Sequence, residues 1–396
     1  MTYLTGSTPQ FVAVGDFNND TLLDIVTANY GSSSVSVLVG YGNGSFASQM
    51  TYLTDFIPQS VTVGDFNNDT RSDIVVASLD GHNICILLCY DSGALANEST
   101  FASGDGSRLR GVDFFDFNND SLLDIVVAND GTNNIGVVLG LGNGNFRNQM
   151  MFSMGLKSHP YSIAIGDFNK DGQADIAVAN HGTKNVGLLL GDGNGMFENQ
   201  NIYGNGSDFA PLFIGAGDFN NDGQSEIVVA FDDIDNIDVL VAYDIASFAK
   251  QMTYSTGSFP SFVAVGDFNN DNQLDIVVGN SNDKTVSVLL GYDNGSFATQ
   301  TTFSTGGYPY AVAIDDFNSD ARLDIVVANF HDSTISILLG YGDGSFADQT
   351  TYSTGSYPRS VAIGDFDNDT RLDIVVANFD GVTVPPLCDE VDIEQS

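Results

Sequence analysis

The chain has 396 residues, of which 51 are Asp or Glu and only 12 are Lys or Arg, so its formal charge is −39 although only 16% of residues are charged. Binding to nucleic acid or to an anionic membrane surface is excluded, because both need a cationic face. Intrinsic disorder is excluded as well, since 42% hydrophobic residues with 28 Phe exceed what a solvated coil carries, and no apolar run approaches the roughly 20 residues that cross a bilayer.

At the N-terminus, Thr2-Tyr3-Leu4-Thr5 has neither a basic start nor an apolar stretch of signal-peptide length, so the expectation is a chain whose signal was removed or a piece of something longer. The string Asp-Phe-Asn-Asn-Asp follows at Asp16 and recurs, with small changes, at Asp65, Asp116, Asp167, Asp218, Asp267, Asp316 and Asp365, spaced by 49 or 51 residues. Such a period means one supersecondary unit copied along a single domain, residues 1–396, rather than independent domains. Within a unit, as in the seventh, Tyr310–Ile314, Leu323–Ala328 and Thr334–Leu339 read as β-branched strands, and Thr351–Thr354 has the pattern of a closing strand. No run has a 3.6-residue period. The fold class is therefore all-β, a β-propeller of four-stranded antiparallel blades.

The last unit begins at Ser360 and falters at Val384-Pro385-Pro386, where prolines cannot donate to a ladder, so its third strand is expected to be poor or missing and 385–396 an irregular tail. Thr2–Thr5 matches Thr51–Thr54 and Thr351–Thr354, which predicts that the N-terminal strand completes the final blade and seals the ring. This arithmetic favours eight blades, with seven and a spare half-unit as the alternative.

Between the first two strands of every unit lie oxygen-bearing residues at positions 1, 3, 5 and 9 of one loop. In chain order they are Asp16, Asn18, Asp20, Asp24; Asp65, Asn67, Asp69, Asp73; Asp116, Asn118, Asp120, Asp124; and Asp167, Asn169, Asp171, Asp175. The second half of the chain gives Asp218, Asn220, Asp222, Glu226; Asp267, Asn269, Asp271, Asp275; Asp316, Asn318, Asp320, Asp324; and Asp365, Asp367, Asp369, Asp373. Alternating oxygens can converge on one hard cation, and without it the carboxylates repel. The expected cofactor is Ca2+, one per loop and up to eight. This is not an EF-hand, because position 12 is Thr27, Val76 or Val127 inside a strand rather than a bidentate Glu. Position 6, where that loop turns left-handed, is Gly only at Gly172 and Gly223, so the other loops are expected to bind more weakly or bend differently.

Gly-Asp-Phe-Asn-x-Asp, then Asp-Ile-Val-Val-Ala-Asn, then Leu-Leu-Gly-x-Gly-[Asn/Asp]-Gly-x-Phe, as at Leu338 to Phe346, resemble the FG-GAP/VCBS repeats of integrin-α-like β-propellers over essentially the whole chain. Gly-x-Phe and segments such as Ser353 to Pro358 replace the integrin Phe-Gly and Gly-Ala-Pro elements. The resemblance implies a Ca2+-stabilised extracellular module for adhesion or ligand binding.

In an up-and-down blade the metal loops share one face with the Gly-Asn-Gly turns, and the opposite face carries segments that vary from unit to unit. Ligand-binding candidates there are Tyr30, His82, His181, Tyr308, Tyr310, Phe330, His331 and Tyr357. The four histidines, His159 included, share no spacing and read as surface residues, while Cys85 and Cys89 read as small apolar fillers. No nucleophile elbow or phosphate loop occurs. The functional expectation is a non-enzymatic, calcium-binding adhesion or ligand-binding module, extracellular or at the cell surface, with an extracellular protein or glycan as partner. A carbohydrate-binding lectin and a propeller-type polysaccharide lyase or hydrolase are the alternatives; few basic residues and no Trp count against the enzyme.

Overall fold

A computed structural model describes residues 2–54, 56–90, 95–198, 200–204, 209–232, 234–244, 247–380, 383–384 and 386–387. Asn205, Asp233, Cys388 and the tail at 385 and 388–396 lie outside the described residues.

The second strand of each unit is the hydrophobic spine. Asp24–Asn29, Asp124–Asn129 and Asp324–Asn329 are buried at all six positions, and the other five units repeat the pattern. A near-continuous Ile-Val-Val-Ala run suits a strand covered on both faces, where each Ile or Val contributes roughly 1.5–3 kcal/mol of burial. Seven four-stranded antiparallel blades result, each ordered first, second, third, fourth strand, as in Pro9–Gly15, Asp24–Asn29, Ser34–Leu38 and Met50–Leu53. Helical geometry among the described residues is confined to one 3-10 turn, Tyr30–Ser32.

The blades stand in a ring because each buries its spine against the next. Every hydrophobic cluster is shared by neighbouring units: Phe17, Val26 and Val37 of unit 1 pack with Val61, Ile74 and Val76 of unit 2, and equivalents follow round the ring. The Phe at loop position 2 anchors these interfaces, packing edge-on against the Gly-x-Phe ring of the next unit, as in Phe117 with Phe197 at 5.4 Å and Phe268 with Phe346 at 5.7 Å. Unit 8 fills the sector between unit 7 and unit 1, with one cluster on each side. It contributes a three-stranded sheet, Pro358–Gly364, Asp373–Asn378 and Pro386–Leu387, beside a two-stranded ladder in which Tyr3–Leu4 pairs with Thr383–Val384.

The third strand of this unit is thus split where the prolines interrupt it. Tyr3 occupies the place that Tyr254 holds in unit 5. Its ring meets Phe46 at 5.3 Å and its hydroxyl oxygen accepts the Phe46 N–H at 3.1 Å, as Tyr254 meets Phe297 at 5.5 Å and accepts its N–H at 3.0 Å. The N-terminal strand therefore seals the ring.

Buried polar groups recur with the repeat. Asn29, fully buried at the end of its strand, donates to the hydroxyls of Ser34 (3.3 Å) and Ser36 (3.0 Å), and Ser36 donates to Gln49 (2.9 Å). Asn280 and Asn329 repeat this arrangement in units 6 and 7. Such networks suit a core only when each member is partnered. Cys85 and Cys89 are buried thiols in the third strand of unit 2, as expected of fillers.

The first strands line the central channel, each packed beside its neighbours and unit 8 beside unit 1. In every unit the ladder between first and second strands slips just after the strand begins, at Pro9/Phe11, Pro58/Ser60, Leu109/Val112 and their equivalents. The residue left out of register is Gln10, Gln59, Arg110, Tyr161, Leu212, Ser261, Tyr310 or Arg359. A bulge releases a side chain from the pleat, and the residue there changes from unit to unit: Gln59, Arg110, Tyr161, Tyr310 and Arg359 line a cavity in the channel, whereas Gln10 and Ser261 are buried.

Candidate functional site

The eight carboxylate loops share one hydrogen-bond scheme. The position-1 carboxylate accepts the N–H groups of positions 5 and 6: Asp16 from Asp20 (3.2 Å) and Thr21 (2.8 Å), and Asp365 from Asp369 (3.1 Å) and Thr370 (3.0 Å). Position 5 in turn accepts the N–H of position 7, as Asp20 does from Leu22 at 2.9 Å. These bonds curl the loop so that the side chains of positions 1, 3 and 5 face inward.

The turn is left-handed at position 6 in all eight loops, from φ 63 at Asn272 and Ala321 to φ 85 at Gly223. The loops lacking glycine therefore do not bend differently. They hold Thr21, Thr70, Ser121, Asn272, Ala321 and Thr370 in a conformation that glycine adopts freely and β-branched residues resist. Position 4 is left-handed too, and its occupants, Asn19, Asn68, Asn119, Asn221, Asn270 and Asn368 with Lys170 and Ser319, are mostly the residue that tolerates it best.

Position 9 is the most buried member. Asp24 has no exposed surface; one oxygen accepts the Phe17 N–H (2.9 Å) and the other the Gly40 N–H (2.8 Å), tying loop to third strand. A Cβ at Gly40 would lie 2.2 Å from the Leu23 carbonyl oxygen, so that close approach requires glycine. Burial, reinforced by the position-1 and position-5 carboxylates, raises these acids: Asp24, Asp124, Asp275, Asp324 and Asp373 to about 6, Asp73 and Asp175 to about 7, and Glu226 to about 8. Amide hydrogen bonds oppose the shift without cancelling it. A carboxylate placed here is short of a cation.

Three loops supply part of one themselves. Arg71, Arg322 and Arg371, at position 7, reach back to Asp69, Asp320 (3.5 Å) and Asp369 (2.6 Å). In loops 1, 4, 6 and 7 the position-3 Asn donates to the position-5 carboxylate, as Asn18 to Asp20 at 2.9 Å. Asp365, Asp367 and Asp373 each bring one carboxylate oxygen within 4.8 Å of the others, the only such trio among the described residues. The donors are the hard oxygens suited to Ca2+ or Mg2+, and the raised position-9 acids leave room for positive charge, so the residues fit a divalent cation, loop 8 most fully.

The glycine turns lie on this same face. The Gly44 N–H donates to the Phe366 carbonyl (3.1 Å) and that of Gly344 to the Phe268 carbonyl (3.1 Å), seating each turn on the loop of the preceding unit. Tyr41, Tyr292 and Tyr341 stand on these turns, 59%, 51% and 54% exposed, a feature that sequence reading passed over because each is one residue inside an otherwise constant motif.

On the opposite face, five of the eight ligand candidates come together. Tyr308 packs on His331 (4.8 Å) and Tyr310 (6.5 Å, stacked), Tyr310 on Phe330 (5.6 Å), and Phe330 on Tyr357 (4.9 Å). His181 lies apart from them, beside Tyr161 at 5.8 Å, while Tyr30 and His82 belong to units 1 and 2 and make no ring contact with this cluster. His159 and His331 are at the surface, whereas His82 and His181 are half-buried. Tyr308 and Tyr357 are left-handed, at φ 59 and φ 57, each directly before a proline, a strained setting for a bulky residue.

Four participants were missed in the sequence: Arg359, Phe379, Arg110 and Tyr161. Arg359 lies over the rings of Tyr310 and Phe379, 5.1 Å from each centroid, and Arg110 lies over Tyr161 at 5.0 Å. Burial raises the Tyr161 hydroxyl, partly offset by Arg110. Arg110, Tyr161, Tyr310 and Arg359 all line a cavity of about 440 Å³ in the channel.

Comparison with known proteins matches the description FG-GAP-like repeat to residues 16–76, 65–127, 116–178, 170–229, 267–327 and 316–376. No curated protein matches the chain. Among solved structures, a lectin from Agrocybe aegerita specific for non-reducing terminal N-acetylglucosamine is similar with TM-score 0.58 and 14% identity, over 96% of this chain and 99% of that one. BBS1N, solved in complex with ARL6DN, gives 0.54 and 10% over 100% and 98%. Virginiamycin B lyase from Staphylococcus aureus gives 0.54 and 13% over 83% and 93%. At such identities these likenesses speak for the propeller fold alone. The repeated loops, the Gly-x-Phe interfaces and the family match together establish that the chain belongs to the FG-GAP-like repeat family.

Proposed function

We propose that this propeller is a non-enzymatic binding module, extracellular or at the cell surface, that holds calcium on one face and a protein or glycan ligand on the other. The loop residues at positions 1, 3, 5 and 9, from Asp16, Asn18, Asp20 and Asp24 to Asp365, Asp367, Asp369 and Asp373, would hold the ions, which supply charge that the clustered acids lack. The observation that carries the recognition face is the cluster of Tyr308, Tyr310, Phe330, His331 and Tyr357 on the face opposite the loops, of which Tyr310 also lines the channel cavity, built from positions that vary while the frame repeats. A lectin is the favoured form of this reading on one further ground: half-buried tyrosines beside a channel offer flat faces for sugar rings.

A panel of immobilised glycans and matrix proteins, probed in calcium and again in chelator, tests the proposal. The variant Tyr310→Ala with Phe330→Ala should lose binding at least tenfold while melting and calcium response stay intact. Retained binding in that variant, together with loss on Tyr292→Ala with Tyr341→Ala, would move recognition to the calcium face and end this assignment.

A further inference from the structure

In a chain of 51 acids and 12 bases, two guanidiniums stand at one channel mouth. Arg110 donates its Nε–H to Asp130 at 3.2 Å, and Asp130 also faces His159 Nδ1 at 2.8 Å. Arg359 differs: it has no ion-pair partner among the described residues, its Nε is buried without a hydrogen-bond partner, and two aromatic rings hold it flat. The Nε has no accessible surface, so anything entering the cavity meets the terminal nitrogens of the guanidinium instead; a cation left without a counter-ion is costly, and this molecule has acids to spare. That none is placed at Arg359 points to an anion supplied from outside.

The surroundings narrow its chemistry. A guanidinium fork matches a carboxylate in two parallel hydrogen bonds. Tyr161 and Tyr310, released from the pleat by their bulges, present rings in the same cavity. A volume of about 440 Å³ suits one or two sugar rings, near the lower end of the usual ~300–1,000 Å³ for ligand sites. A net charge of −39 repels a long polyanion, so the ligand carries its charge singly. Asp113, the only acid among the described residues that line the cavity, is three residues beyond Arg110, roughly 10 Å along the strand, and accepts the Phe114 N–H.

We infer that the channel mouth binds a single uronic-acid residue, its carboxylate on Arg359 and its ring between Tyr161 and Tyr310. This rests on the assignment of recognition to the same face. Titration of the full chain in calcium with glucuronate, glucose and acetate, followed by saturation-transfer NMR and calorimetry, tests it. Glucuronate should bind at least tenfold more tightly than glucose or acetate, and Arg359→Gln should weaken it at least tenfold with melting unchanged. Arg110→Gln provides a second, less severe loss should Arg359→Gln fold poorly. Equal responses to glucuronate and glucose, equal responses to glucuronate and acetate, or unaltered affinity in both variants would overturn the inference. A protein that captures its macromolecular partner through Tyr310 and Phe330 yet ignores glucuronate sinks the uronate site alone; one that binds glucuronate through Arg359 while its partner ignores Tyr310 and Phe330 sinks the wider reading alone.

Discussion

On the proposed reading of the loops, removing calcium should reverse the sign of this protein's pH dependence. The eight position-9 acids are buried, and without a cation the folded state holds them protonated to about pH 6 for Asp24 and about pH 8 for Glu226, against ordinary values of 3.8 and 4.5. Their folded pKa values are raised, so between about pH 4 and pH 8 the native state binds protons that the unfolded chain has released, and stability falls as pH rises through that window. Each tenfold gain in a carboxylate's proton affinity on folding is worth about 1.4 kcal/mol. Even one such tenfold gain in each of eight loops would sum to about 11 kcal/mol, comparable to the whole stability of a domain. Calcium bound in the proposed loops would remove the penalty by holding the carboxylates charged, and protons would then compete with the metal. Thermal melts in chelator should therefore fall from about pH 5 to about pH 7.5, whereas in about 5 mM calcium they should hold or rise over the same range. Asp175→Asn, which keeps that loop's ninth position neutral at every pH, should shrink both effects by one loop's share. Identical pH slopes with and without calcium, or melting that climbs with pH in chelator, would refute the reasoning.

Two further tests address parts of the frame. Tyr3→Phe removes the oxygen that accepts the Phe46 N–H and should destabilise by about 1–3 kcal/mol, close to the loss from Tyr254→Phe at Phe297; an unaltered melt for Tyr3→Phe alone would mean the N-terminal strand does not seal the ring. Replacing Arg71, Arg322 and Arg371 together by Leu withdraws the guanidiniums from Asp69, Asp320 and Asp369, and chelator competition should then show more calcium bound at a given free concentration; unchanged or weaker binding would show that these pairs do not oppose the metal.

What the sequence revealed and what it hid divide along a physical line. The blades, the closing role of Thr2–Thr5 and the eight loops were legible because each is written in local pattern: alternation, a fixed period and oxygens at fixed offsets. Tyr308, Tyr310, Phe330, His331 and Tyr357 could be chosen as candidates because they vary on a repeated frame. Their convergence, and the absence of Tyr30 and His82 from it, depend on which units are neighbours in the ring. Arg359 and Arg110 were hidden for another reason. Each sits near the start of a regular strand and reads as one more pleated position, while the bulge that frees it is a property of pairing rather than of composition. The inward reach of Arg371 to Asp369 was equally invisible, since two residues apart in a loop says nothing about direction until the turn at Thr370 is known.

The ladder that unites Tyr3–Leu4 with Thr383–Val384 joins opposite ends of the ring's chain through only two pairs. Closing so long a loop from an open chain would cost about 5 kcal/mol in entropy alone, more than so short a ladder returns. The seam can form only after the stacked units have carried its two sides together, so during synthesis it waits until Thr383 and Val384 have left the ribosome. At ~5–20 residues per second, the N-terminal strand and the exposed flank of unit 1, with Val12 and Phe46, stay uncovered for roughly 20–80 s after they emerge. During that interval a second nascent chain offers an equivalent flank, and exchange of the first strand between copies is the misassembly this architecture invites. Crowded synthesis should accordingly yield dimers linked through unit 8, and dilution or a chaperone that shields the N-terminal strand should suppress them.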